Sequence, residues 1–195
     1  MRSMYMVLGC AITTITYVFL CYLLRKGQVI QNFTSWILWA ILDIILAAAV
    51  IHQNGNWPFI ATYVLGCITV ASTVYKTSII QWTWYENLIT GLVILCMVVW
   101  AISGAWTATI AGTFAVVVAG IPQLKDVWKK PKENSIFIYL GFLAGNIFST
   151  AAGKDWSVEE RFYPASMVLF CLLYVLGIGQ KYLPPNKPIT ISHQC

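Results

Sequence analysis

The residues best suited to chemistry in this sequence are an acid and two indoles at helical spacing. Trp36, Trp39 and Asp43 lie three and four positions apart, which places both indoles and the carboxyl group on one stripe of an α-helix. Asp43 is the one acidic residue within a predicted membrane span. A charge at the bilayer centre costs ~2.5–3.5 kcal/mol on insertion scales, so such residues usually face the protein interior and mark a pathway. We therefore predict that these three side chains contact a substrate.

A second stripe repeats this pattern later in the chain. Tyr139, Phe142 and Asn146 have the same spacing as the first set and follow it by 103 positions. Together the six residues would form a box with aromatic walls and two hydrogen-bonding ends, suited to a flat or ring-shaped solute with polar edges. In the alternative interpretation, Asp43 is protonated and bonded to a neighbouring helix, and the aromatic side chains only pack.

Pro122 and Gln123 form another pair of interest. A proline inside a helix removes one backbone hydrogen bond and frees a carbonyl group one turn earlier, and Gln123 could bond that group or its neighbours. The pair predicts either a hinge for alternating access or the end of a helix, because charged residues begin at Lys125. Both interpretations remain open. Pro58 and Pro164, in contrast, fit the first turn of a helix, where proline is common.

The composition is that of a membrane protein. Hydrophobic residues make up 59% of the 195 positions and charged residues 10%, with a mean hydropathy of +0.73. Soluble domains carry about 25% charged residues, so this sequence cannot cover a water-exposed surface. The net charge is +5, but the basic residues stand singly or in pairs between apolar runs, which is typical of membrane orientation. We expect a lipid bilayer as partner and no nucleic acid.

Seven apolar segments are near the length that crosses ~30 Å of hydrocarbon. The predicted spans lie near 4–24, 35–52, 58–75, 87–103, 106–124, 135–152 and 163–181. Aromatic residues fall at or beside their ends, as in an interfacial belt. These residues are Trp57, Trp82, Trp84, Tyr85, Trp106, Trp128, Trp156 and Tyr163. The chain is thus predicted to be multi-pass, with no soluble domain large enough to fold alone.

The basic residues predict the orientation of these spans. One side of the membrane would hold nine of them, namely Arg25, Lys26, Lys76, Lys125, Lys129, Lys130, Lys132, Lys181 and Lys187. The other side would hold three, which are Arg2, Lys154 and Arg161. The positive-inside rule then places the N-terminus outside and the C-terminus in the cytoplasm. We expect a plasma or inner membrane location.

The two stripes belong to a longer internal repeat. The pairs Arg25-Lys26 and Lys129-Lys130 recur after 104 positions, and Pro58 and Pro164 are 106 apart. The predicted units are a first three-helix repeat at 4–76, a linker with the fourth span at 77–104, a second three-helix repeat at 105–182 and a tail at 183–195. Parallel repeats are a transporter architecture that holds solute between the repeats. The alternative is a helical scaffold that arose by gene duplication.

The 3+1+3 plan, with Gly120-Ile121-Pro122-Gln123 at the end of the fifth span, resembles the PQ-loop and SWEET transporter superfamily. Trp36, Trp39 and Asp43 are also similar to the WxxWxxxN/D motif of the PnuC vitamin transporters, which share the SWEET-type fold. The resemblance implies an all-α membrane protein in which two parallel three-helix bundles are joined by a linker helix. It also implies that the motif contacts substrate, and it permits a homotrimer.

These features predict a facilitative transporter that uses alternating access. Its solute would be small and polar or ring-containing, such as a sugar or a vitamin- or nucleoside-like compound. The alternatives are a proton-coupled carrier in which Asp43 titrates and a non-transporting receptor or scaffold. We expect no enzyme and no cofactor, because His52 and His193 are isolated and no nucleophile–base spacing or phosphate loop occurs. The six cysteines lack metal-binding spacing, so we expect free thiols, no disulfide and no metal.

Overall fold

The computed structural model of the chain describes residues 2–77 and 84–182, where the regular elements are helices. Seven of them are α-helices: α1 (Arg2–Arg25), α2 (Phe33–His52), α3 (Trp57–Thr77), α4 (Trp84–Ala119), α5 (Ile121–Lys129), α6 (Ile136–Ala151) and α7 (Tyr163–Gly179). Short 3₁₀ turns lie at Pro131–Glu133 and Gln180–Tyr182, and a π-helical turn lies at Val158–Phe162. Trp82, Lys187, Cys195 and the rest of the predicted tail fall outside the described residues.

Five segments are long and apolar enough to cross a membrane by length and composition, so the chain is a multi-pass membrane protein. They are Arg2–Arg25, Phe33–His52, Trp57–Lys76, Thr109–Lys129 and Val158–Tyr182. Two shorter apolar helices, Val93–Ser103 and Ile136–Ala151, correspond to the other two predicted spans. Apolar side chains such as Ile15, Leu65 and Leu169 point outward and are about two-thirds exposed, as suits a surface in contact with lipid.

The structure differs from the prediction between the fourth and fifth spans. Separate helices were expected over 87–103 and 106–124, but α4 is a single helical run of 36 residues. The break falls later, at Gly120, where α5 follows. The predicted boundary at 104–105 contains one glycine and no proline. An isolated glycine costs a helix only about 1 kcal/mol, so nothing in the local sequence forces the helix to stop there.

This long run cannot be straight. The end of α3 lies beside the start of α2, because the rings of Tyr75 and Phe33 are 5.9 Å apart. Thr109 of α4 lies at the other end of α2, where it bonds to Gln53. From Thr109 onward the chain follows α2 back toward its start. A straight α4 would put Trp84 roughly 37 Å beyond Thr109, although the link from α3 reaches at most about 25 Å. Helix α4 must therefore bend between Trp84 and Thr109.

Helix α2, which carries the first predicted stripe, starts at a capping residue. Asn32 is extended (φ −82°, ψ 115°), and its side chain accepts a hydrogen bond from the Ser35 N–H at 3.1 Å. Such a cap contributes about 1 kcal/mol. Two residues after the helix ends at His52, Asn54 has a φ of 55°, a conformation that asparagine tolerates better than most residues. The cap fixes where α2 begins and hence the direction in which Asp43 points.

Glycines allow α1 and α6 to pack closely. A Cβ atom on Gly141 would collide with the Thr16 hydroxyl, and one on Gly145 would collide with the Thr13 hydroxyl. On α1, a Cβ atom on Gly9 would lie 3.2 Å from the Gly145 carbonyl oxygen. Small residues permit such close approach between membrane helices. Gly141 and Gly145 are four positions apart, a small-xxx-small spacing that predicts close helix packing from the sequence alone, and this prediction is confirmed.

The helices surround a shared aromatic core. α2 packs against α3 and α4, α1 packs against α3 and α6, and α7 packs against α5 and α6. Pro58 and Pro164 lie in the first turns of α3 and α7, as predicted. Cys21, Cys67 and Cys171 are buried free thiols and Cys10 is a partly buried one, while the side chain of Cys96 lies outside the described part.

Candidate functional site

A cavity of about 40 Å³ lies inside the bundle, enclosed by α1, α2, α3, α4, α6 and α7. Nine of the fourteen side chains that line it are aromatic: Tyr17, Trp36, Trp39, Tyr63, Tyr139, Phe142, Tyr163, Phe170 and Tyr174. The others are Asp43, Cys67, Val116, Met167 and Cys171. Five of the six residues predicted to form a box therefore meet at one cavity. The sixth, Asn146, is fully buried and bonds the cavity residue Tyr63.

Asp43 lies at this cavity with only 1% of its surface exposed. The Tyr163 hydroxyl donates to Oδ1 at 3.0 Å, and the Cys67 thiol donates to Oδ2 at 3.5 Å. Because these donors belong to α7 and α3, the carboxyl group of α2 connects three helices. The ion pairs of the described residues all involve Glu133 or Glu160, so Asp43 has no cationic partner there. These contacts agree with the structural interpretation of Asp43 and leave the binding interpretation as a prediction.

Asn146 occupies the corresponding place on α6. Its Nδ2 donates to the Tyr63 hydroxyl at 2.6 Å and to the Phe142 carbonyl oxygen at 2.8 Å. Since a carbonyl oxygen can only accept, the amide atom beside Phe142 must be the nitrogen. The other amide atom, Oδ1, is buried and has no hydrogen-bond partner among the described residues. Buried acceptors are rarely left unbonded, so this oxygen can accept a further hydrogen bond.

Tyr63 and Tyr163 join the two stripes, and the sequence analysis missed both as site residues. Tyr163 of α7 bonds Asp43, Tyr63 of α3 bonds Asn146, and the two rings meet edge to face at 5.9 Å. The assignment of Tyr163 to the interfacial belt was wrong, because only 2% of it is exposed. A buried tyrosine usually bonds a polar partner through its hydroxyl group. The sequence signal that could have identified these two site residues was that both are tyrosines in apolar segments, which can pack opposite the segment that carries the lone acid.

The two indoles use their N–H groups away from the cavity. Trp36 Nε1 donates to Gln31 Oε1 at 3.0 Å, and Trp39 Nε1 donates to the Val116 carbonyl oxygen at 2.7 Å. The rings themselves are perpendicular, with centroids 4.8 Å apart. Trp36 and Trp39 therefore offer their aromatic surfaces to the cavity, while their polar atoms hold α2 to neighbouring segments.

A polar layer closes the cavity toward the start of α2. Gln31 Nε2 donates to Asn134 Oδ1 at 3.4 Å and to the Tyr139 hydroxyl at 3.5 Å. Gln123 Nε2 donates to the same hydroxyl at 3.2 Å, and its Oε1 accepts from the Asn32 N–H. We call Gln31, Gln123, Asn134 and Tyr139 the Gln31 layer. It consists of neutral hydrogen bonds between segments that are distant in sequence.

Pro122 lies in the first turn of α5, directly after the break at Gly120. This location fits a helix end, while the hinge role of Pro122 and Gln123 stays a prediction. The Gln123 N–H donates to the Ser35 hydroxyl at 3.3 Å, and the Gly120 carbonyl oxygen accepts from the Tyr174 hydroxyl at 2.9 Å. The Gln123 side chain thus joins α2 to α6 and bonds no carbonyl group freed by the proline.

A buried acid lies toward the opposite end of the bundle. Glu160 is 4% exposed, and it accepts a hydrogen bond from the Lys154 N–H at 2.9 Å. Its carboxylate also lies 3.7 Å from Lys154 Nζ and 4.0 Å from an Arg2 guanidinium nitrogen. Lys154 Nζ donates to the Asn54 carbonyl oxygen as well. We call Arg2, Lys154 and Glu160 the Glu160 layer, which ties the start of α1 to the α2–α3 and α6–α7 connections.

Comparison with protein-family models, with curated proteins and with solved structures finds no match in any of the three. The resemblance to the PQ-loop, SWEET and PnuC transporters, and the roles that it implies for individual residues, therefore remain predictions. What is established is a multi-pass helical membrane protein with an enclosed aromatic cavity that contains one acid.

Proposed function

We propose that this protein is a membrane transporter, rather than an enzyme, and that it moves a small polar or ring-containing solute by alternating access. The observation that carries the proposal is the cavity at Asp43, which lies between the Gln31 layer and the Glu160 layer. Intramembrane ionisable residues that face the interior commonly mark a solute or ion pathway. Two layers at opposite ends are what alternate opening requires.

The size of the cavity fits a closed conformation. Its volume of about 40 Å³ holds only a few water molecules, whereas sites for drug-sized ligands have volumes of about 300–1,000 Å³. A solute would therefore enter only when one layer has opened and the walls have moved apart. Among the described residues the Gln31 layer contains no ion pair, whereas the Glu160 layer contains two, so different conditions would open each.

We further propose that the chain contains two parallel repeats arranged as in the SWEET-type fold. Gln31 and Asn134, which are 103 positions apart, bond to each other, as expected for equivalent residues beside a twofold axis. Cys67 and Cys171 are 104 positions apart, and each contacts the polar residue of its own proposed half, Asp43 or Asn146. Such contacts are expected from a duplicated three-helix unit.

Packing contacts between the proposed halves are also reciprocal. A Cβ atom on Gly9 would meet the Ser149 backbone at 3.3 Å, and one on Gly112 would meet the Leu46 side chain at 2.9 Å. Gly112 is 103 positions after Gly9, and Ser149 is 103 positions after Leu46. The contact of Gly9 with Ser149 and the contact of Gly112 with Leu46 therefore join equivalent positions of the two proposed halves. Two further contacts are related in the same way, Tyr17–Phe142 and Trp39–Gly120. This reciprocity supports a twofold relation between the halves.

The orientation follows from the same proposal. The Glu160 layer holds Arg2 and Lys154, and at the other end Lys181 Nζ bonds the Asn134 carbonyl oxygen. The side of the Gln31 layer carries nine of the predicted basic loop residues and the side of the Glu160 layer carries three. The positive-inside rule then puts the Glu160 layer outside and the Gln31 layer at the cytoplasmic face of a plasma or inner membrane. Reporters fused in the 129–132 and 155–160 loops should lie on opposite sides. Reporters on the same side would contradict both the orientation and the repeat. A homotrimer remains a further possibility from the resemblance.

Proton-coupled transport is a second candidate, because Asp43 is a titratable group inside the bundle with neutral hydrogen-bond partners only. Asp43→Asn keeps the size of the side chain but removes its charge and its titration. In a coupled carrier this variant should still exchange solute across vesicles but lose accumulation driven by a pH gradient. If the protein is a facilitator, solute flux should be independent of the pH gradient in both the wild type and the Asp43→Asn variant. A receptor or scaffold would show no flux.

The test of transport is solute flux in vesicles that contain the purified full-length protein. A thermal-stabilisation screen selects solutes, and counterflow of the best hit is then measured against protein-free vesicles. Trp39→Ala, which removes a cavity wall, should weaken binding by about 1–3 kcal/mol, borrowing the range for aromatic stacking on a base. Trp106→Ala is the control, because that indole is 56% exposed and does not line the cavity. Equal effects of both substitutions, or no flux for any stabilising solute, would contradict the proposal.

A further inference from the structure

The charged group at the cavity is a carboxylate without a cationic partner among the described residues. The carboxylate of Asp43 accepts from two neutral donors, and none of the ion pairs of the described residues includes it. A buried carboxylate is costly without a positive partner. The amide oxygen of Asn146 is a second buried acceptor, and it has no partner in the described part of the chain. Of the two, Asp43 lines the cavity and can still receive hydrogen bonds from a ligand.

Four donors at the cavity are already engaged. The N–H groups of Trp36 and Trp39 donate to Gln31 and to the Val116 carbonyl oxygen. The Tyr174 hydroxyl donates to a backbone carbonyl oxygen at 2.9 Å, and the Tyr163 hydroxyl donates to Asp43. A neutral polyol needs donors as well as acceptors on its many hydroxyl groups. The cavity instead offers a carboxylate surrounded by aromatic surfaces.

We infer that the solute of this site is a small organic cation, whose ammonium or quaternary nitrogen lies between Asp43 and the aromatic walls. Cations are attracted to the faces of Trp, Tyr and Phe within about 6 Å of the ring centre, most strongly where water is excluded. Nine aromatic rings line the cavity, and its carboxylate supplies the opposite charge. The inference rests on the proposed function, because it names the class of solute that the same cavity would carry.

The decisive comparison uses ligands that differ only in charge. Choline and 3,3-dimethylbutan-1-ol have the same shape, but the second carries carbon in place of the quaternary nitrogen. Both are titrated into the purified full-length protein at constant ionic strength, with thermal stabilisation and tryptophan fluorescence as readouts. We expect choline to bind at least tenfold more tightly than its neutral isostere. Equal affinity for the two ligands, or no saturable binding of choline, would overturn the inference.

Substitutions test whether Asp43 causes the preference for choline over its neutral isostere. Asp43→Asn should reduce the tenfold preference to about one, whereas Glu133→Gln should leave it unchanged, because Glu133 pairs with Lys130 at the surface, away from the cavity. If Asp43→Asn does not fold, the comparison of choline with its isostere on the wild-type protein still decides. Retained preference in a folded Asp43→Asn variant would also reject the assignment.

Flux measurements separate this inference from the proposed function. Selective choline binding without counterflow in vesicles would contradict transport and leave the cation site intact. Counterflow of a neutral solute, with choline neither bound nor competing, would contradict the cation site and leave transport intact. Selective binding together with counterflow of choline would support both.

Discussion

The Glu160 layer gives the most direct test of alternating access. Glu160→Gln keeps the shape of the side chain and an oxygen that can accept from the Lys154 N–H, but it removes the negative charge. If this layer holds one end of the transporter closed, the neutral variant should spend more time open at that end. The cavity thiol Cys67, which is 1% exposed, should then react faster with a water-soluble thiol reagent.

The size of the expected increase in the open population follows from the contacts of Glu160. The backbone hydrogen bond at 2.9 Å changes from a charged to a neutral acceptor, which costs about 1 kcal/mol. The two ion pairs, at 3.7 and 4.0 Å, involve Lys154 and Arg2 side chains that are 45% and 48% exposed, so each contributes at most about 0.5 kcal/mol after solvent screening. The variant also loses the desolvation cost of the buried charge, which acts in the opposite direction. A net shift of about 1 kcal/mol corresponds to a roughly fivefold larger open population.

The assay uses a variant in which the other cysteines are replaced and Cys67 is the reactive thiol. Its labelling rate reports the open population when opening is fast relative to reaction. Glu133→Gln is the matched control, because the Lys130–Glu133 pair at 3.4 Å is exposed and local, three residues apart. We expect about fivefold faster labelling for Glu160→Gln and no change for the control. Unchanged labelling of Glu160→Gln, or an equal rise in both variants, would refute the role of Glu160 in closure.

Two further predictions concern the helices themselves. Gly141→Ala should lower the melting temperature, because the new Cβ atom would collide with a hydroxyl on α1 and overpacking costs about 1–3 kcal/mol. The control Gly91→Ala, with nothing within 4 Å of its Cβ position, should leave the melting temperature equal or higher. The reverse order of the two melting temperatures would contradict the packing of α1 on α6. Pro122→Ala should slow transport while binding stays nearly unchanged if α5 hinges at its start, and an unchanged transport rate would leave Pro122 as a helix-end residue.

The sequence predicted the membrane class, most helix positions and the meeting of the two stripes. Periodicity was sufficient for the stripes because Trp36, Trp39 and Asp43 are brought to one face by a single helix. The spacing of Gly141 and Gly145 predicted close helix packing for the same reason. These successes depend on local geometry, which a helix imposes on its own residues whatever surrounds it.

Contacts between distant segments could not be predicted in this way. Tyr163 was expected at the lipid interface because aromatic residues at span ends usually lie there, yet it is buried against Asp43. The break at Gly120 was also placed too early, since no local signal separates the two halves of α4. Glu160 lies next to Glu159 in a charged loop, and only the fold distinguishes the buried carboxylate from its neighbour.

The difference between Asp43 and Asn146 gives the cavity a direction that the proposed repeat alone would not provide. Asp43 receives hydrogen bonds from Tyr163 and Cys67, whereas Asn146 donates to the Tyr63 hydroxyl. Because Tyr63 accepts there, its own hydroxyl proton remains available to a ligand. Related positions therefore present a negative acceptor on one side and a neutral donor on the other. If the proposed repeat is right, a solute with a positive end and an accepting end would therefore bind in one orientation.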